Sequence, residues 1–291
     1  GNPGKEGRVE LLAHGDIEFL SGEKTFRRVR IKTGAQVEFR SGKWSGELIL
    51  EGKPLEDDPL VGKELGGYKV LSRLGAGGVG IVYRALQLNL DREVALKVLN
   101  PKAAESPVMV ASFHREAQAA GRLSHPNLVQ VHDVGKGNGL HFFSMEIVPG
   151  GNLEEKLDES GPMPWRDAVE AVRDCAMALA FAQEHELVHR DVKPENLMVG
   201  ASGNLKLADL GLAATRGLVE KEVAGGTPHF MAPEAFGGRN IDGRADLYSL
   251  GCTLYRLLTG ETVFKGPGVR EILRAHREKD PPPLPAEIQA P

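Results

Sequence analysis

Between Leu74 and Val82 the chain reads Leu-Gly-Ala-Gly-Gly-Val-Gly-Ile-Val, a G-x-G-x-x-G-x-V cluster. Glycines at this spacing leave backbone N–H groups free to approach phosphate oxygens with no side chain between them. What surrounds the cluster limits the fold more than the cluster itself. A dinucleotide-binding turn would open a helix at once and carry an acidic residue about 20 positions on. Here Ile81-Val82-Tyr83-Arg84-Ala85 alternates as a strand does, and Asp91 falls in a loop-like stretch. Tyr68 to Leu74 alternates on the other side. The cluster therefore reads as the tip of a β-hairpin lying over phosphates.

Further strands and helices follow. Val94 to Leu99 is a strand. Ser106-Pro107 has the form of an N-cap with proline at the first helical position, opening a helix that runs to about Leu123. Trp165 to His185 places Val169, Val172, Cys175 or Ala176, Leu179 and Ala182 on one face of a long amphipathic helix. Leu247 to Leu258 is more evenly apolar and stops at Gly260, as a buried helix with a glycine cap would. Strands first and helices afterwards predict an α+β fold of two lobes.

The first 59 residues differ. Short apolar runs recur at Val9 to Leu12, Ile17 to Leu20, Val29 to Ile31, Val37 to Phe39 and Leu48 to Leu50, separated by turns such as Ser21-Gly22-Glu23-Lys24, Thr33-Gly34 and Ser41-Gly42-Lys43. This predicts a small all-β module, built either as hairpins or as the last rungs of a β-solenoid. Arg28, Arg30 and Lys32 mark either an anionic-ligand face or solvated outward positions. Glu56-Asp57-Asp58-Pro59 reads as a linker, so residues 1–59 form one unit and 60–291 another.

Composition narrows the function classes. A formal charge of −4 lacks the basic excess of a general nucleic-acid binder. No apolar run approaches the roughly 18–20 residues that span a bilayer. The two cysteines, Cys175 and Cys252, form neither a disulfide framework nor a metal knuckle, which suits a reducing, cytoplasmic setting. The chain opens on Gly-Asn-Pro and ends in proline-rich sequence, and so reads as part of a longer protein.

Two charged residues stand out before any motif is invoked. Lys97 lies inside the apolar run Val94-Ala95-Leu96-Lys97, where an ammonium is costly without an anion. The following helix offers Glu116. A Lys97–Glu116 pair holding nucleotide phosphates would satisfy both charges; a snorkelling lysine and a solvated glutamate are the alternative.

The run Val188-His189-Arg190-Asp191-Val192-Lys193-Pro194-Glu195-Asn196-Leu197 decides between them. It resembles the H-R-D-x-K-P-E-N catalytic loop of eukaryotic-like (Hanks-type) Ser/Thr protein kinases, with Asp209-Leu210-Gly211 where that family has D-F-G and Ala232-Pro233-Glu234 matching A-P-E. Six motifs stand in family order over about residues 65 to 280. His125-Pro126-Asn127 and Gly226-Thr227-Pro228 give the resemblance a bacterial flavour.

The resemblance implies a bilobal kinase fold, with a β-rich small lobe at about 65–148 and a helical large lobe at about 149–291, preceded by the small β module. It implies ATP and Mg²⁺ as cofactors, with Mn²⁺ as an alternative metal, and a protein substrate carrying a Ser or Thr acceptor. Asp191 is expected to orient the acceptor hydroxyl and take its proton, and Lys193 to contact the γ-phosphate. Asn196 and Asp209 are the expected metal ligands. Thr227 is expected to bond Asp191 and Lys193, and Asp246 to brace the catalytic loop from beneath. Gly75, Ala76, Gly77, Gly78 and Gly80 would cover the phosphates together with Lys97. Met145 aligns as the gatekeeper, backbone groups of Glu146 and Val148 would meet the adenine edge, and Val82, Ala95, Leu153 and Met198 would flank the ring. Asn152 holds the ribose-contact position.

Two departures carry expectations of their own. The activation segment from Leu212 to Gly226 holds only Thr215 as a hydroxyl residue, and lies after an Arg-preceded catalytic aspartate. Either Glu220 or Glu222 partly takes the place of an activating phosphate, or the run is a solvated charge stretch. Kinase domains also continue beyond Pro281-Pro282-Pro283 into two helices bearing an arginine partner for Glu234. Their absence predicts a buried, unpartnered Glu234 and an apolar face met by the rest of the protein, a second copy or another chain. The competing function is a non-catalytic, nucleotide-binding regulatory module acting through protein contacts.

Overall fold

The computed structural model describes residues 58–77, 79–210, 228–237, 241–286 and 288, together with the backbone of six short strands before residue 50. The chain divides into two compact units, Gly1–Val61 and Gly62–Pro291.

In the first unit, β1 (Asp16–Ile17) pairs with β4 (Val29–Arg30), β2 (Leu20–Ser21) with β3 (Lys24–Thr25), and β5 (Val37–Ser41) with β6 (Trp44–Leu48). Every pair is antiparallel. Ser41 pairs with Trp44, and Ser21 with Lys24. These are hairpins; the rungs of a β-solenoid would pair in parallel. The run Val9 to Leu12, the Thr33-Gly34 turn, Arg28 and Lys32 lie outside the described residues.

The second unit opens with a six-stranded antiparallel sheet in the order β11-β12-β10-β9-β8-β7. Its strands are β7 (Glu64–Leu65), β8 (Tyr68–Ala76), β9 (Gly80–Gln87), β10 (Arg92–Leu99), β11 (Val131–Gly137) and β12 (Leu140–Met145). Strands β8, β9 and β10 fall where alternation places them. Between β10 and β11 run a short α1 (Pro101–Ala104) and then α2 (Pro107–Gly121). The Ser106 side chain accepts a bond from Met109 N–H, with Pro107 at the first turn, as the sequence predicts. Helix α2 buries Phe113 and Ala117 against Ala95, Leu99, Phe143 and Met145 of the sheet. The Phe113 and Phe143 ring centroids are 5.1 Å apart.

The remainder is helical: α3 (Leu153–Ser160), α4 (Trp165–Glu184), α5 (Gly243–Thr259) and α6 (Val269–Glu278), with the small hairpin β13 (Leu197–Val199) and β14 (Leu205–Leu207). Helix α5 starts at an Asp242 cap and ends on Gly260, whose φ of 71° is open to glycine at little cost. Two expectations about faces are corrected. Val169 is exposed, and the buried stripe of α4 is Ala168, Ala171, Cys175, Ala178, Leu179 and Ala182. Leu247 is likewise exposed on α5. Small side chains let α4 and α5 pack closely, so the alanines form the buried stripe, with Val172 and Ala176 packed at its edge as expected and only Val169 turned out. Glu234 is corrected too. It lies exposed in the segment Pro233–Gly237, so the desolvation cost expected for a buried carboxylate does not arise.

Helix α6 is anchored by His276, which is 5% exposed and lies among the rings of Phe236, Tyr248 and Phe264. The Tyr248 hydroxyl and His276 Nδ1 are 2.7 Å apart. Burial, and secondarily the nearby His229, hold this imidazole below its ordinary protonation range. A folded pKa below the unfolded one contributes stability above about pH 6.5 that is lost as pH falls through the lowered folded value. His132 and His141 shift in the same direction, so the test is a comparison with His276→Phe. Between about pH 7.5 and 5.5 the unsubstituted protein should lose more melting temperature than the variant. Parallel losses would show that His276 does not titrate in this way.

Candidate active site

The hairpin of β8 and β9 brings Gly75 opposite Val82 and Ala76 opposite Ile81. Gly77 N–H donates to Gly80 O at 2.8 Å, closing the tip. Gly80 is required by close approach, since a Cβ there would lie 2.3 Å from the Val98 carbonyl oxygen of the neighbouring strand. Gly78 lies outside the described residues.

Lys97 sits mid-strand on β10 with Val82 beside it on β9 and Phe143 on β12, and is 7% exposed. Its Nζ donates to Asp209 Oδ1 at 2.6 Å. Glu116 Oε1 accepts from Ser112 Oγ at 2.8 Å, one turn earlier on α2. The hydrogen bond from Lys97 to Asp209 joins the strand to the segment after β14, a contact not among the sequence expectations. A carboxylate within reach of a buried ammonium satisfies both charges. Ser112 was not foreseen, although its i, i+4 spacing to Glu116 is a readable signal.

The catalytic run is held from below. Asp246, 3% exposed on α5, accepts the N–H of His189 at 2.8 Å and of Arg190 at 2.7 Å. Burial raises the Asp246 carboxyl above its ordinary range, while these N–H bonds oppose the rise. His189 is fully buried; its Nδ1 accepts Asp191 N–H at 3.2 Å, which leaves Nε2 to donate to Ala208 O at 2.9 Å. One imidazole thus ties the segment before Asp191 to the residue before Asp209. Arg190 and Asp209 have φ of 67° and 61°, a left-handed conformation that non-glycine residues hold only where the surroundings enforce it.

Around Asp191 the expected partners converge. Asn196 Nδ2 donates to Asp191 O at 2.7 Å and to Asp191 Oδ2 at 3.1 Å. Lys193 Nζ lies 3.3 Å from the same Oδ2. Asn196 O accepts Ala208 N–H at 2.9 Å, placing Asn196 beside the strand end that carries Asp209. The Asn196 amide nitrogen is turned to Asp191, so its oxygen is the atom left for a cation. With the Asp209 carboxylate this makes a donor set of hard oxygens, suited to a divalent ion such as Mg²⁺. Glu195, on the same turn, has its carboxyl raised by burial. Thr227, like Gly211, Thr215, Glu220 and Glu222, lies outside the described residues.

On the nucleotide side, Met145 pairs with Ala95, and Val82 packs on the cluster containing both. Met198 and Asn152 form an isolated antiparallel bridge, and Leu153 is buried beside them. Asn152 caps α3, its Oδ1 accepting Glu155 N–H at 2.9 Å while Glu155 Oε2 accepts Asn152 N–H at 3.1 Å. Its side chain therefore has a structural task in addition to the ribose role expected of it. Glu146 is held through its carboxylate: Oε1 accepts Gln130 N–H at 2.8 Å and lies 2.8 Å from Lys206 Nζ. Val148 is half-buried two residues on. The Lys206 contact was not legible in the sequence, because the residues are 60 positions apart.

Comparison with known proteins agrees with this arrangement. The family model described as "Protein kinase domain" matches residues 68–283. The Ser/Thr-protein kinase PknD of Mycobacterium tuberculosis is 40% identical over 234 residues, which cover 79% of this chain and 35% of PknD. The Ser/Thr-protein kinase PrkC of Bacillus subtilis is 34% identical over 227 residues, 77% of this chain and 35% of PrkC. The chain thus spans about a third of the length of these relatives. The crystal structure of the M. tuberculosis PknI kinase domain, in a mutant form, superposes with a TM-score of 0.60 at 28% identity, covering 75% of this chain and 97% of that one. Family members use ATP and a divalent metal. With the glycine hairpin, the braced His189–Asn196 loop and Asp209 in one site, and the family model spanning that site from Tyr68 to Pro283, the chain belongs to the protein kinase family.

Proposed function

We propose that this chain transfers the γ-phosphoryl group of ATP to Ser or Thr hydroxyls of proteins, with Mg²⁺ as the working metal and Mn²⁺ as a substitute. The observation that carries the reading is the grouping of Asp191, Lys193 and Asn196 within 3.3 Å contacts of one another, joined through His189 and Ala208 to the Asp209–Lys97 pair. Asp191 accepts the proton of the attacking hydroxyl, and its carboxylate is aimed by Asn196. Lys193 moves from Asp191 toward the γ-phosphate as negative charge gathers there. Lys97 exchanges Asp209 for phosphate oxygens, leaving Asp209 and Asn196 Oδ1 to hold the cation. Bound Mg²⁺ would draw charge from the phosphates and fix their geometry.

Protein substrates follow from the family, and the lysine two positions after Asp191 favours Ser and Thr over Tyr as acceptors. A cytoplasmic setting is consistent with two buried, unpaired cysteines, whose thiols burial pushes up to about 12. No helix among the described residues is long and apolar enough to cross a membrane.

The test is incubation with γ-labelled ATP, Mg²⁺ and a generic protein acceptor, followed by analysis of the labelled amino acids. Label on phosphoserine or phosphothreonine is expected. Saturable nucleotide binding with no label transferred would instead favour a regulatory, non-catalytic module.

A further inference from the structure

Glu146 follows β12 directly, and its main chain is the part proposed to meet the adenine edge. Its side chain is committed elsewhere. The carboxylate accepts Gln130 N–H at 2.8 Å while Glu146 N–H donates to Gln130 O at 3.0 Å, a closed ring of two bonds. The same Oε1 takes Lys206 Nζ at 2.8 Å. Lys206 is the central residue of β14, three positions before Asp209, and its Nζ also reaches Leu128 O at 3.4 Å. The backbone around this contact is already firm. Leu207 N–H donates to Asn127 O at 2.8 Å, Val129 N–H to Leu207 O at 2.9 Å, and Asn127 Nδ2 to Leu205 O at 2.8 Å. Lys206 and Glu146 side chains are 19% and 26% exposed, so water and salt screen the pair only in part.

We propose that Lys206 is a positioning residue for the nucleotide: its ion pair with Glu146 sets the distance between the adenine-facing main chain and the phosphate end of the site at Lys97 and Asp209. This rests on the nucleotide reading above. ATP is one ligand with two anchoring ends. When both anchors sit at the right separation, binding the first makes the second effectively intramolecular, and the triphosphate adds its full share of affinity. When the separation fluctuates, each end is still bound but the two are seldom satisfied together. Lys206 lies behind the site and touches neither end of the ligand. Its effect should therefore appear in the coupling between the ends and not in the adenine contact itself.

The experiment compares adenosine with ATP and Mg²⁺ by calorimetric titration of the 291-residue chain, as wild type, Lys206→Arg and Lys206→Met. Adenosine should bind all three within about twofold. The gain in affinity from adenosine to ATP should fall about five- to tenfold in Lys206→Met and be kept in Lys206→Arg, which retains the charge and can still reach Glu146. Should Lys206→Met fail to fold, Lys206→Gln serves the same purpose. An unchanged gain in the neutral variants would overturn the proposal. So would an equal loss for adenosine and ATP, which marks a merely structural residue. A wild type that binds neither ligand would overturn the nucleotide reading and this inference with it.

Discussion

Asp191→Asn should bind ATP as the unsubstituted chain does and transfer its phosphate on the order of 10²–10⁴ times more slowly. The substitution keeps the shape of the side chain, and the Asn196 bond to the Asp191 main-chain oxygen survives it. What disappears is the negative charge that Lys193 faces at 3.3 Å and the basic oxygen that takes the hydroxyl proton. Steady-state kinetics should therefore show a large fall in kcat with the KM for ATP little moved, because no nucleotide contact is assigned to this carboxylate. A variant that phosphorylates at the full rate would remove Asp191 from the reaction. A variant with both parameters collapsed and a lowered melting temperature would instead make it a structural residue.

The second large effect is expected away from the chemistry, at Asp246. Replacing it with Ala removes the acceptor for the buried N–H of His189 and the part-buried N–H of Arg190. Leaving a buried donor unsatisfied costs about 1–3 kcal/mol and a part-buried one less, so the substitution should cost about 1–4 kcal/mol of unfolding free energy. Activity should fall further than stability alone explains, since Arg190 holds a left-handed backbone that nothing would then enforce. Asp246→Asn should not rescue. Its amide offers one acceptor, and aims two hydrogens where the second N–H already points. Urea unfolding read beside kcat separates the effects, and an Ala variant of full stability would refute the brace.

Legibility in the sequence followed the range of the interaction. Strands β8, β9 and β10 alternate cleanly, and the Ser106-Pro107 start of α2 uses only neighbours in the chain. Strands β11 and β12 are harder to read, since β11 carries half-covered His132 and Gly135 and exposed Asp133 and Lys136 with no clean period. Gly135 is there because the Phe142 ring of the next strand fills the space a side chain would need. Helix α3 has only Leu153 and Leu157 buried, too few to set a periodicity apart from its acidic surface. In the site, residue identities were readable from motif order, whereas their partners were not. Lys97 meets Asp209 across 112 positions and Glu146 meets Lys206 across 60, and no local pattern encodes either distance.

The alanine stripe of α4 also bears on which changes this protein tolerates. In most cores the damaging substitution is the one that removes volume. Along Ala168, Ala171, Ala178 and Ala182 the order reverses, because the surrounding core lies against side chains that have almost nothing to lose. Growth by even one or two methyl groups must displace the neighbours of the stripe, on α5 and β14, at about 1–3 kcal/mol for an overpacked site. Helix α5 also carries Asp246, so crowding there would be felt at the catalytic loop. For this part of the chain, the variants to watch are those that add atoms.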